Sequence, residues 1–186
     1  MTLDRYISVD IEASGPIPGD YSMLSFGACV VGDPAATFYA ELKPLNANFI
    51  KQAVEVCGLS MEKLAREGRD PKEAMTEFRD WVKAVTPPTH RPVFVGFNAT
   101  FDWMFLQWYL MHFLGGSPFG WAGLDIKAYY MGMKGCLWGE TSKQQMDARF
   151  KSVRPHTHHA LDDAREQAEI FEKLLAARRD DWAGRA

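Results

Sequence analysis

The chain of 186 residues contains three cysteines, Cys29, Cys57 and Cys136, and no Cys-x-x-Cys pair. An odd number at such spacings argues against a disulfide framework and a structural zinc site, and for a reducing interior. Positive charge is not in excess: 21 Lys and Arg against 24 Asp and Glu leave a net charge of −3. Bulk attraction cannot hold a long duplex nucleic acid, although bound cations could still bring in a phosphate. Long hydrophobic runs are missing. The most apolar stretch, Phe101 to Leu114, is too short to cross a bilayer and contains Asp102, Gln107 and His112. Asp4, Arg5 and Asp10 argue against a secretory signal, so a soluble cytoplasmic protein is expected. No P-loop, Gly-x-Gly-x-x-Gly fingerprint or Gly-x-Ser-x-Gly elbow is present, which removes support for nucleotide-driven motors, dinucleotide oxidoreductases and serine hydrolases.

What remains is an ordinary globular composition, 47% hydrophobic and 24% charged, long enough for one domain. Tyr6 to Glu12 alternates, with Ile7, Val9 and Ile11 on one face and Tyr6, Ser8, Asp10 and Glu12 on the other, a strand pattern. A turn-rich Gly15–Asp20 loop leads to strands at Met23–Val31 and Thr37–Leu42, an antiparallel meander. Ser60–Glu67 reads as a short helix. Asp70 as N-cap and Pro71 open a longer one, which Pro87-Pro88 ends. Val93–Phe97 reads as a buried strand, and Thr100–Leu114 as a helix apolar nearly all round. Leu124–Ile126 is a further short strand, followed by a short helix through Met133 and a loop-rich segment from Gly135 to Val153. The last helix spans about His159–Ala177. The expected fold is α/β: one domain over 1–186, with a core over about 5–177, a charged tail over 178–186, and a mixed five-stranded sheet flanked by helices.

Asp10 and Glu12, two apart on one strand, project from the same face. Two adjacent carboxylates repel unless a cation sits between them, and hard oxygen ligands suit Mg²⁺ or Mn²⁺; alone, the pair also fits a solvated strand face. Asp102 opens an apolar helix, where it serves either as a buried ligand or as a partner of the helix dipole. His158 and Asp163 lie within about one turn of each other, and alone they also fit a surface histidine and a first-turn acid. His156, His158, His159 and Cys136 match no standard zinc finger. Asp125 is explained equally well as the cap of the helix that follows it.

Taken together, the motifs Val9-Asp10-Ile11-Glu12-Ala13-Ser14-Gly15, Gly96 to Leu106 around Asp102, and His158-His159-Ala160-Leu161-Asp162-Asp163-Ala164 resemble the DEDDh group of 3′-to-5′ exonucleases. That group has a ribonuclease H-like fold and includes polymerase proofreading subunits, oligoribonuclease and ribonuclease T. The resemblance spans about residues 6–175. It implies that Asp10, Glu12, Asp102 and Asp163 hold two divalent ions, Mg²⁺ or Mn²⁺, roughly 3.5–4 Å apart. Asp10 would bridge them. His158 would act as general base, for which histidine's ordinary pKa of about 6.5 is suited. By the same resemblance Leu59 wedges against the last base, and Ala13, Ser14 and Gly15 contact the terminal sugar. Asn98, Phe101 and Trp103 are further substrate-binding candidates, Asn98 either orienting the Asp102 loop or making an ordinary loop hydrogen bond. Ser14 stands where relatives often have Thr, and Cys57 where many have His.

The implied activity is metal-dependent hydrolysis at the 3′ end of single-stranded nucleic acid, with a slight preference for RNA, releasing nucleoside 5′-monophosphates. A DNA exonuclease of repair or defence is the alternative, followed by a non-catalytic binding module or a phosphohydrolase of small esters. Trp103, Trp121 and Trp138 are candidates for base stacking, with core packing the competing role. Lys143, Arg149, Lys151 and Arg154 form either a basic flank for the backbone or a solvated loop. Several relatives dimerise, which makes a homodimer an expectation; no membrane partner is expected.

Overall fold

The computed structural model describes residues 2–183, with side chains through residue 178. The meander is present as β1 (Leu3–Ala13), β2 (Met23–Val30) and β3 (Asp33–Glu41). Helices α1 (Lys51–Cys57), α2 (Met61–Glu67) and α3 (Pro71–Val85) follow, then β4 (His90–Gly96), α4 (Thr100–Leu114), β5 (Gly123–Asp125), α5 (Ile126–Lys134) and α6 (Ala160–Ala183). Between α5 and α6 lie two 3-10 turns, Trp138–Thr141 and Ala148–Phe150.

The sheet order is β3-β2-β1-β4-β5. β1 is central, antiparallel to β2 and parallel to β4. Its alternation divides the molecule. Ile7, Val9 and Ile11 point into a core shared with Phe78 of α3 and with Phe105, Leu106 and Tyr109 of α4. Its other face, that of Asp10 and Glu12, meets α6, which packs on β1 and β2. A second core on that side contains Val95, Ile126, Tyr130, Phe171 and Leu174. Burying apolar side chains on both sides at roughly 25 cal/mol per Å² makes the β1 register hard to slip, because a one-residue shift would turn the acids into the α3–α4 core.

Local signals act as expected at several ends. Asp70 accepts from the amides of Lys72 and Glu73 at the start of α3, and Ser60 caps α2. Several elements differ from expectation. β3 begins at Asp33 rather than Thr37. α1 was not foreseen. α6 continues to Ala183, so most of the expected tail is helical; its last residues, 184–186, lie outside the described residues. Among the described residues all three cysteines are free, and no helix is long and apolar enough to cross a membrane.

Candidate active site

Asp10 pairs in register with Gly27 of β2. A Cβ on Gly27 would collide with backbone atoms of Leu161. The missing side chain therefore lets the first turn of α6 rest on the sheet, and that approach delivers Asp163. Carboxylate oxygens of Asp10, Glu12 and Asp163 lie within 4.8 Å of one another. Asp102 arrives from the first turn of α4. Its Oδ1 accepts from the Ile11 amide at 3.0 Å, the amide between the two acids of β1. The four acids expected from the sequence thus converge, contributed by three elements.

The β4–α4 connection is fixed as tightly. Asn98 adopts a left-handed backbone with φ of 66°. The Ala99 amide donates to Asp125 Oδ2 at 2.6 Å, while Asp125 Oδ1 caps α5 by accepting from Ala128 at 2.7 Å. Asp125 is the cap the sequence suggests, and it also anchors the turn leading to Asp102.

Asp163 is buried and accepts from two amides of its own loop, Thr157 at 2.9 Å and His158 at 2.8 Å. The chain reaches it through a left-handed His158, φ 56°, a strained conformation for a non-glycine residue. The His158 side chain is exposed at the rim, its ring centroid 4.5 Å from that of His156. Donor atoms of His156, His158 and Asp163 fall within 4.8 Å of one another. His156 Nδ1 lies 3.1 Å from Asp163 and 3.3 Å from Glu166. His159 turns away onto Tyr39, and Cys136 packs in the second core.

Burial and mutual repulsion push Asp10, Glu12 and Asp102 up. Glu12 rises to about 8, through burial first and then the charges of Asp163 and Asp102. Asp102 rises to about 7 through burial, opposed by the Ile11 amide. Asp10 is raised well above the carboxylate range by burial and then by its three acidic neighbours, with Lys143 opposing. Converging oxygen donors this poorly compensated suit hard divalent cations, so the residues fit such a metal.

Two further side chains reach the acids: Gln167, which carried no sequence signal, and Lys143 of the expected basic flank. The Gln167 side-chain amide donates to Asp10 Oδ1 at 2.5 Å, and its carbonyl accepts from the Phe97 amide at 2.9 Å. Lys143 donates to Glu166 at 2.6 Å and stands over the Phe97 ring.

Beside the acids, Glu12, Ala13, Gly15, Ile50, Val56 and Phe101 line a groove of mostly apolar surface. α1, which supplies Val56, ends at a left-handed Gly58; Leu59 follows, half-buried beside Cys57. Three expectations need correction. Ser14 is fully buried; its hydroxyl donates to the Asn48 carbonyl and accepts from the Ser22 amide, so it braces loops instead of facing a sugar. Trp103 packs edge-on against Phe94 and over Gly123 in the core, because α4 turns that side toward the sheet. The basic flank is largely engaged elsewhere: Arg149 pairs with Asp147, Arg154 lies near Glu169 and Lys151 donates to the Gln144 carbonyl, while Lys143, itself paired with Glu166, is the flank member directed at the acids. Asn98 is exposed and acts through its backbone conformation.

Comparison with known proteins gives a consistent picture. A family model described as exonuclease (RNase_T) matches residues 7–171. The 3′-5′ DNA exonuclease Cap18 of Escherichia coli is 49% identical over 169 residues, covering 89% of this chain and 89% of its own. Among solved structures, the nuclease domain of 3′hExo, a DEDDh family member bound to rAMP, superposes with a TM-score of 0.73 at 16% identity, covering 94% of this chain and 93% of that one. Exonuclease I of E. coli with a dT13 oligonucleotide gives 0.66 at 15% identity, covering 96% and 43%. At such identities the two structures speak for the fold.

Proposed function

The chain belongs to the DEDDh-type 3′-to-5′ exonuclease family, and from that premise we propose that it removes nucleotides one at a time from the 3′ end of single-stranded DNA, releasing nucleoside 5′-monophosphates. The observation that carries this reading is the convergence of Asp10, Glu12, Asp102 and Asp163 with His158 at their rim. Asp10, Glu12, Asp102 and Asp163 would hold two divalent ions, Mg²⁺ or Mn²⁺. When bound, such ions supply positive charge that activates a water and stabilises the leaving oxygen.

The chain's own groups do the rest. The groove of Ala13, Ile50 and Phe101 receives the terminal nucleoside, its apolar lining suited to a base. His158 accepts a proton from the attacking water through a ring nitrogen. The water oxygen bonds to phosphorus, the bond from phosphorus to the penultimate O3′ breaks, and that oxygen gains a proton from solvent. Gln167 aims Asp10 by donating to its Oδ1. All five side chains come from one chain, so the reading needs no second copy.

DNA is placed ahead of RNA, reversing the slight preference drawn from the sequence, because the relative at 49% identity is named as a DNA exonuclease. The test is a matched set of 5′-labelled single-stranded DNA, single-stranded RNA and duplex, incubated with Mg²⁺, Mn²⁺ or chelator, with wild type and Asp10→Asn. A ladder shortening from the 3′ end of the DNA, faster than on RNA and absent in chelator and in Asp10→Asn, is expected. A faster RNA ladder would reassign the substrate, and internal cleavage would defeat the reading.

A further inference from the structure

We propose that Trp138 and Lys127 form a stacking platform on the rim of the acidic site, gripping bases of the single strand upstream of the scissile phosphate. The inference rests on the proposed function for the identity of the strand.

Trp138 is 50% exposed and the preceding Leu137 is 77% exposed. The turn presenting them is nevertheless tied down. The Leu137 amide donates to Glu140 Oε2 at 2.8 Å, and the fully buried Thr141 donates from Oγ1 to the Trp138 carbonyl at 2.7 Å. A fixed backbone therefore holds an indole in water. Lys127 Nζ sits 4.2 Å from the ring centroid, within the range of a cation–π contact. An aromatic ring with a cation over it combines the two groups that hold single strands, a ring that stacks on a base and an ammonium that meets a phosphate.

Its location follows from two connections. Lys127 lies in the first turn of α5, whose cap Asp125 also holds the Ala99 amide just before Asp102. A few residues beyond Trp138, Lys143 reaches over Phe97 and its charge acts on Asp10 and Asp102. The segments that carry Lys127 and Trp138 are thus both tied to residues around the acids. The groove assigned to the terminal nucleoside draws no lining residue from α5 or from the Trp138 turn. A strand with its last nucleoside in that groove and its phosphate at the acids has this rim free for the nucleotides that precede it.

The test uses the whole chain and 5′-labelled oligothymidine. In chelator, fluorescence anisotropy with a fifteen-nucleotide strand should show about tenfold weaker binding for Trp138→Ala, with Trp138→Phe close to wild type. Lys127→Gln should lower the salt slope by about one contact. In Mg²⁺, the ratio of kcat/KM on the fifteen-mer to that on a dinucleotide should fall about tenfold in Trp138→Ala. Unchanged affinity and ratio would overturn the platform and leave the patch to a protein partner. An equal loss on both lengths would also overturn it, because that marks damage to the site itself. If the wild type hydrolyses nothing, the proposed function fails, while the chelator measurement still decides for or against the platform.

Discussion

Gln167 on α6 donates its side-chain amide to Asp10 on β1 at 2.5 Å, across a sequence separation of 157 residues. The same side chain accepts from the Phe97 amide, so one buried residue joins the first strand, the end of β4 and the last helix. Replacing it by Leu removes the donor that favours ionised Asp10. Groups that orient metal ligands are commonly worth 10- to 100-fold in affinity. Gln167→Leu should weaken Mn²⁺ binding by about that factor, measured by titration calorimetry; unaltered affinity would show that the contact only packs α6.

Gly27 makes a second prediction. A methyl group there meets the Leu161 backbone, which cannot swing aside as a flexible side chain would. Gly27→Ala should cost about 1–3 kcal/mol of stability by overpacking. It should also lower activity at saturating metal, since α6 carries Asp163 and His158 precedes it. Thermal melts and single-turnover rates measure the two effects. Loss of stability without loss of rate would contradict the positioning role.

The raised acids predict an inverted pH dependence in chelator. Folded Glu12 stands at about 8 against an ordinary 4.5, and Asp102 at about 7 against 3.8. For acids raised on folding, the unfolded chain binds fewer protons, so stability is full below the ordinary values and is lost as pH rises through the folded ones. The melting temperature in chelator should therefore fall between pH 5.5 and 8.5. Saturating Mg²⁺ should remove most of that fall, because the ions take the place of the protons. A melting temperature that is level across this window in chelator would contradict the electrostatic picture.

How far the sequence exposed all this depended on the range of each interaction. Alternation in β1 placed Asp10 and Glu12 on one face, and the Asp70-Pro71 cap placed α3, because those signals are local. α1 was invisible: it has seven residues, no side-chain cap and no buried residue, so it carries no stripe to read. The α6 boundary was missed because apolar periodicity stops near Ala177 while the helix continues through charged positions. α4 is apolar on nearly every side, so its sequence could not tell that Phe101 faces the groove and Trp103 the core. Gly27 and Gln167 matter only through partners far away in the chain, and no local pattern marks them.

His158 supplies a more direct chemical test. His158→Ala should lower kcat by about 10²–10⁴ with little change in KM or in metal affinity, and added imidazole should restore part of the rate. A loss confined to metal affinity would instead make the ring a ligand, as its closeness to His156 and Asp163 would allow.

Asp10, Glu12, Asp102 and Asp163 are proposed to form one site for a pair of divalent ions. Calorimetric titration with Mn²⁺, in the presence of thymidine 5′-monophosphate, measures this most directly. Two ions per chain are expected for the wild type, with loss of both in Asp10→Asn. A wild-type stoichiometry of zero, or two ions retained in Asp10→Asn, would contradict it.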